Sequence, residues 1–320
     1  MKLIFRFSYL ALFVCALFTF SSCGDDDAVT IPTPNAVEFA SDNADFSSLV
    51  AALDRAGLVE TLSGEGPFTI FAPTNAAFQA LLDSNSDWNS LDDIPLDVLT
   101  SVLTYHVVAG NVLSTDLSTG YVESLSATPF NANTSLFVST DNGVTINGTT
   151  NVVGADNEVS NGVIHVVDQV ILPANIVTFA TTNPIFSSLV SALTRSDLNV
   201  DFVSALSGAG PLTVFAPTND AFQALLNSND SWNTLADIPA SVLENVLLYH
   251  VTSAGNVRSS DLSDGQTVPT LLENNTFSIN LSGATPAIDA LSNNANIIAT
   301  DVQAINGVVH VIDTVILPEL

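Results

Sequence analysis

The sequence predicts an α+β fold, built twice in tandem. Three observations carry this. First, Phe71-Ala-Pro-Thr-Asn75 recurs as Phe215-Ala-Pro-Thr-Asn219, and 15 of 19 positions from Phe71 to Asn89 match their partners 144 residues later. Second, each copy carries helix-period apolar stripes in its first half and β-rich runs broken by turn residues in its second. Segregated elements of this kind point to α+β rather than alternating α/β. Third, the repeat length near 140 residues is that of a whole domain and too long for a solenoid unit.

The first stripe is Phe46, Leu49, Val50 and Leu53, at i, i+3, i+4 and i+7. It predicts a helix, with Asp45 placed to cap its start and Gly57 to close it. Gly66-Pro67 then punctuates, and Phe68 to Ala72 reads as a strand. Thr74 is placed to N-cap the next helix, which turns Phe78, Leu81 and Leu82 inward. Pro95 suits the first turn of a third helix, where Leu99, Val102, Leu103 and His106 share a face. Leu243, Val246, Leu247 and His250 repeat that face. Leu136 to Thr140, Val144 to Asn147 and Val163 to Leu172 read as strands, with Asp141-Asn-Gly143 as a hairpin turn.

Offsets drift from 140 at Phe46/Phe186 to 144 at Phe71/Phe215, which places about four extra residues between Ser191 and Pro211. That stretch reads as a loop at a helix end, where insertion costs little. Almost no linker separates the copies, because Leu172-Pro173 closes one and Val177-Thr-Phe-Ala180 matches Val37-Glu-Phe-Ala40 of the other's opening. The two units are therefore expected to abut.

At the N-terminus, Lys2 and Arg6 flank the start of an apolar run of about 14 residues, Phe7 to Phe20. A charged start, a short apolar core and small residues before a boundary mark a secretory signal over residues 1–22. The run is shorter than the roughly 20 residues a membrane span needs. Ser21-Ser22-Cys23 resembles the lipobox of bacterial lipoproteins, which makes Cys23 the expected lipid-attachment residue. Acyl chains at about 0.8 kcal/mol per buried CH₂ would supply the membrane anchor. Residues 23–34 read as an acidic tether. Asp25, Asp26 and Asp27 resemble the export signal that carries some lipoproteins to the outer face of the outer membrane, so a cell-surface location is expected.

The formal charge is −28, and removing Lys2 and Arg6 with the signal takes it to −30. Arg55, Arg195 and Arg258 are the cations that remain. Such a surface repels phosphate backbones and argues against nucleic acid as a partner. Cys15 would leave with the signal, so neither a disulfide framework nor a cysteine metal site is expected.

Three motifs appear in order in both copies. Thr69-Ile-Phe-Ala-Pro-Thr-Asn-Ala-Ala-Phe78 pairs with Thr213-Val-Phe-Ala-Pro-Thr-Asn-Asp-Ala-Phe222. Tyr105-His106 pairs with Tyr249-His250. Asn161-Gly-Val-Ile-His-Val-Val-Asp168 pairs with Asn306-Gly-Val-Val-His-Val-Ile-Asp313. With these motifs the chain resembles the fasciclin-domain proteins. The resemblance implies a fasciclin-like domain over 35–173 and another over 174–320, each a β-sandwich or wedge flanked by several helices. It also implies adhesion, with a protein or glycan of a cell surface or matrix as partner. In animal relatives the Tyr-His segment is linked to integrin binding, so Tyr105, His106, Tyr249 and His250 are the candidate binding residues.

The residues themselves give no sign of catalysis. All four histidines, His106, His165, His250 and His310, lie in the repeated motifs on apolar faces, which favours hydrogen-bonded scaffold roles. No Gly-x-Ser-x-Gly elbow, Gly-rich phosphate loop or close-spaced His pair occurs. No catalytic residue, metal ligand or cofactor is therefore expected. The alternative is a polysaccharide-binding accessory of a nutrient-uptake system, for which the matching Trp88 and Trp232 would be platforms if their rings lay open.

Overall fold

Residues 32–319 are described by a computed structural model. The expected signal over 1–22, Cys23 and the tether as far as residue 31 lie outside the described residues. The first copy opens with helices α1 (Ala36–Ser41), α2 (Ser47–Arg55) and α3 (Val59–Ser63), followed by strand β1 (Phe68–Pro73), α4 (Asn75–Asp83) and α5 (Leu96–Tyr105). Six strands follow: β2 (Val107–Ala109), β3 (Gly120–Ala127), β4 (Asn133–Ser139), β5 (Thr145–Ile146), β6 (Thr150–Val159) and β7 (Gly162–Val167).

The second copy repeats the order. It has α6 (Ile176–Thr182), α7 (Ser187–Leu193), α8 (Phe202–Ser207), β8 (Leu212–Pro217), α9 (Asn219–Asn227) and α10 (Ala240–Tyr249). Then come β9 (Val251–Thr252), β10 (Thr267–Pro269), β11 (Thr276–Asn280), β12 (Ala287–Asp289), β13 (Asn294–Ala304) and β14 (Gly307–Ile312).

In the first copy β1 to β7 close into a barrel, sealed between β2 and β3 by the pair Val108–Ser124. In the second, the strands form one sheet in the order β10-β11-β12-β13-β14-β8-β9. The α+β expectation holds, with one departure from segregation. β1, set among the helices, pairs in parallel with β7, Phe68 opposite Gly162 through Pro73 opposite Val167. β8 and β14 do the same from Leu212–Gly307 to Ile312–Pro217. The first and last motifs of each copy are thus neighbouring strands. Both faces of β1 are covered, so it reads as a continuous apolar run, as buried parallel strands do.

Local chemistry explains the helix ends. Thr74 accepts the Ala77 N–H at 3.3 Å, and Thr218 accepts that of Ala221. Asp45 does not cap α2; it lies in a preceding 3₁₀ turn, Ala44–Phe46, capped by Asn43. The free start of α2 is met from outside, by Asn75 Oδ1 accepting the Ser48 N–H at 2.8 Å. Gly57 does close α2, at φ +67°, with Leu58 N–H returning to Leu53 O at 2.9 Å. The inserted residues of the second copy fall in the turn Thr194 to Asp201 between α7 and α8, where the first copy has only Ala56 to Leu58 between α2 and α3, so the expected loop at a helix end is met. The strand read over Val163 to Leu172 stops at Val167, and β2, β3 and β6 are strands that the sequence reading passed over.

From Thr33 onward the chain is one compact unit. The barrel interior of the first copy and the helical layer of the second belong to one continuous apolar cluster. Tyr121 of β3 stacks edge-on against Phe179 of α6, with centroids 5.4 Å apart, and its hydroxyl accepts the Asn183 side-chain N–H at 3.0 Å. The expectation that the units abut is met by a joint that buries aromatic surface.

Candidate functional site

The Tyr-His segments end α5 and α10. Tyr105 donates its hydroxyl to Ser135 O at 2.6 Å and accepts from Asn147 Nδ2 at 3.0 Å. His106, at the C-cap of α5, hydrogen-bonds Val102 O through Nδ1 at 2.7 Å, while its Nε2 accepts the Ile171 N–H at 2.9 Å. The second bond fixes the tautomer: Nε2 is the acceptor, so Nδ1 carries the proton. His250 repeats both contacts, with Val246 O at 2.7 Å and Ile316 N at 3.1 Å. Tyr249 donates to Thr276 O at 2.8 Å.

All four side chains are buried, at 0–3% exposure. Burial pushes the Tyr105 hydroxyl up to about 12 and both imidazoles down to about 4, because the charged forms lose their hydration. Tyr105, His106, Tyr249 and His250 are therefore corrected as direct contact residues. Their polar atoms are spent inside the fold, and a partner would meet only the surface these residues support.

The other motif residues are scaffold as well. Asn161 donates to Leu62 O and Gly64 O and accepts the Ala36 N–H, tying α3 to the start of α1. Asn306 makes the same three bonds in the second copy. Asp168 takes two bonds from Asn151, and Asp313 two from Asn296, fastening the end of β7 and of β14. His165 and His310 bond Val112 O and Val257 O at 2.9 Å from fully buried positions. The expectation of hydrogen-bonded scaffold histidines matches what is seen. Burial holds His310 below the usual imidazole value.

Electrostatics follow the same economy. Arg55 donates to the carbonyls of Leu91, Asp92 and Ile94, and Arg195 to those of Leu235 and Ile238. Both guanidiniums serve loop carbonyls, which leaves Arg258, half-exposed beside Asp261 at 3.9 Å, as the most open of the three. Among the described residues no group of three or more His, Cys, Asp or Glu side chains is placed to hold a metal ion.

Trp88 and Trp232 are half-buried, each packed against an apolar core, so neither ring is an open platform. The surface feature that sequence reasoning missed is a repeated one. Val153 on β6 is 61% exposed and Ile298, 145 residues on, is 54% exposed. Each sits at a register shift, between Val152 and Gly154 or between Ile297 and Ala299. Bulges re-aim side chains in this way. The signal was the doublets Val152-Val153 and Ile297-Ile298, which break strand alternation.

A fold of two helix-and-sheet units with parallel motif strands defines a tandem fasciclin-domain pair. The chain belongs to this family: the fasciclin domain model matches residues 44–173 and 184–318. Among relatives, protein sll1483 of Synechocystis sp. is 46% identical over 153 residues, 48% of this chain and 78% of that protein. Human periostin is 29% identical over 269 residues, 83% of this chain and 30% of that one. Transforming growth factor-beta-induced protein ig-h3 of Sus scrofa is 30% identical over 262 residues, 81% and 36%. The chain thus spans about a third of each animal relative. A solved FAS1 domain pair from the insect cell adhesion molecule fasciclin I superposes with TM-score 0.54 at 19% identity, over 86% of this chain and 98% of that one, and shows the shared fold.

Proposed function

We propose that this chain is a non-enzymatic adhesion or binding lipoprotein, tethered through Cys23 to the outer membrane and exposed at the cell surface. Its partner in this reading is a cell-surface or matrix protein or glycan. The observation that carries it is the fasciclin pair itself, a family represented in a cell adhesion molecule. The geometry supports the non-enzymatic part, since every histidine spends both ring nitrogens on the fold. The anchor rests on the lipobox-like Ser21-Ser22-Cys23 and the acidic run after it.

Contact falls to exposed edges, with Val153 and Ile298 as the repeated apolar residues. Purified chain would be screened for binding to host-cell surfaces, matrix proteins and glycans. A ligand whose binding is lost in V153D/I298D, with the circular dichroism unchanged, supports the reading. Absence of any ligand, or turnover of ester, peptide or glycoside substrates, overturns it. For the anchor, C23S should abolish palmitate labelling and membrane retention, and protease treatment of intact cells should degrade the chain.

A further inference from the structure

The two copies differ in the space between their helices and the sheet. In the second copy a cavity of about 200 Å³ lies between α6, α7, α8 and the β8–β14 floor. The matching place in the first copy, between α1, α2, α3 and β1–β7, holds about 20 Å³. The first copy is an internal control: the same motifs can close this space. Part of the difference lies in the floor, where Val214 and Val309 replace Ile70 and Ile164. Ile176 in place of Ala36 works the other way, so side-chain size alone does not account for the opening. The second copy also carries the four inserted residues ahead of α8, and its α6 is tied to Tyr121 of the first copy.

We propose that this cavity is a binding site for an apolar hydrocarbon group, such as the end of an aliphatic chain. The polar groups on its wall are already committed. His250 bonds Val246 O and the Ile316 N–H. Thr181 donates to Val177 O and Thr178 O, and Thr194 to Val190 O. Every side-chain donor on the wall is thus used, and the side-chain acceptors that remain are the hydroxyl oxygens of the exposed Thr181 and Thr194, not groups in the interior. A cavity of about 150 Å³ with a comparable apolar lining stays dry and takes up benzene or xenon. This one is larger and has a mouth: Val177 and Val190 are half-buried, and Val203 is 39% exposed. A chain end would enter there, leaving the rest of its molecule outside. The inference stands apart from the adhesion reading and survives that reading's failure.

The test is a titration of the whole chain, with ¹³C-labelled Ile, Leu and Val methyls, against octane, octanoate and dioctanoyl phosphatidylcholine below its micelle concentration. Saturable shifts are expected for Val177, Leu189 and Val214, while Val37, Leu49 and Ile70 stay unchanged. V190F, which plugs the mouth, should weaken octane binding at least tenfold. V214I/V309I, which restores the first copy's residues, should weaken it about threefold and is expected to fold. Shifts with the phosphatidylcholine as well as octane assign a lipid acyl chain as the occupant; shifts with octane but not the lipid assign a free hydrocarbon. No shift with octane, equal shifts in both copies, or undiminished binding by V190F would overturn the proposal.

Discussion

Ser135 of the first barrel accepts the main-chain N–H of Gln303 from the second sheet through its Oγ, at 3.0 Å and fully buried. The main-chain carbonyl of that same serine receives the Tyr105 hydroxyl. One residue therefore joins the end of α5 to the neighbouring domain. Gln303 is held by further bonds to Asn256, Ala304 O and Gly307 O.

Ser135→Ala should leave the Gln303 N–H buried and unpaired, at a cost of about 1–3 kcal/mol. Tyr121→Ala should weaken the same joint by removing the stack on Phe179 and the Asn183 bond. Urea denaturation followed by fluorescence checks both. The expected result for Tyr121→Ala is a broadened or split transition, because the copies would then unfold with less coupling. A single transition as steep as the parent's would count against a joint that transmits stability.

His106→Ala and His250→Ala each remove a ring that bridges a helix end to a later segment. Each should destabilise by about 2–4 kcal/mol, from two lost hydrogen bonds and the space left behind. Loss of adhesion in these variants should track unfolding by circular dichroism, since neither ring reaches the surface.

Acid should act through the same two rings. Their pKa is about 4 in the fold against 6.5 for an ordinary imidazole. Between those values the unfolded chain binds more protons than the native one, so stability falls as pH falls. The contribution is fully present above pH 6.5 and is lost on descent towards pH 4, on the order of 3 kcal/mol per ring. Imidazole ¹⁵N shifts should report neutral Nδ1–H tautomers down to about pH 5. A midpoint near 6.5 for either ring would disprove the buried assignment.

Gly162 and Gly307 sit at φ +150° and +154°, where a Cβ would fall 1.9 Å from Phe68 O and 2.0 Å from Leu212 O. The clash is with backbone of the parallel partner strand, which cannot step aside without parting the ladder. Gly162→Ala should cost more than about 3 kcal/mol, measured by thermal melting. By contrast Gly120→Ala, with nothing near its Cβ, should be close to neutral.

Much of this architecture was legible in the chain itself. The duplicated motifs, the stripe ending in His106 and the Thr74 cap depend on spacing and side-chain chemistry within a few residues, which a sequence displays directly. Burial of the histidines was legible for the same reason, because each lies on an apolar face. What local pattern could not show were partners far along the chain. Asn75 replaced Asp45 as the cap of α2 from 27 residues away. β1 met β7 across some ninety residues, and the short strand β2 takes its identity from pairing alone. Phe39 and Phe179 occupy matching sites, yet Phe39 is half-buried and Phe179 is 1% exposed, because only Phe179 lies under Tyr121. The cavity beneath α6 is of the same kind: near-identical motifs close the space in one copy and leave it open in the other. Sequence alone determined the family, the repeat and the apolar setting of its histidines. Packing between distant segments decided which of two similar surfaces is covered and which space stays empty, since those depend on what arrives from elsewhere in the chain.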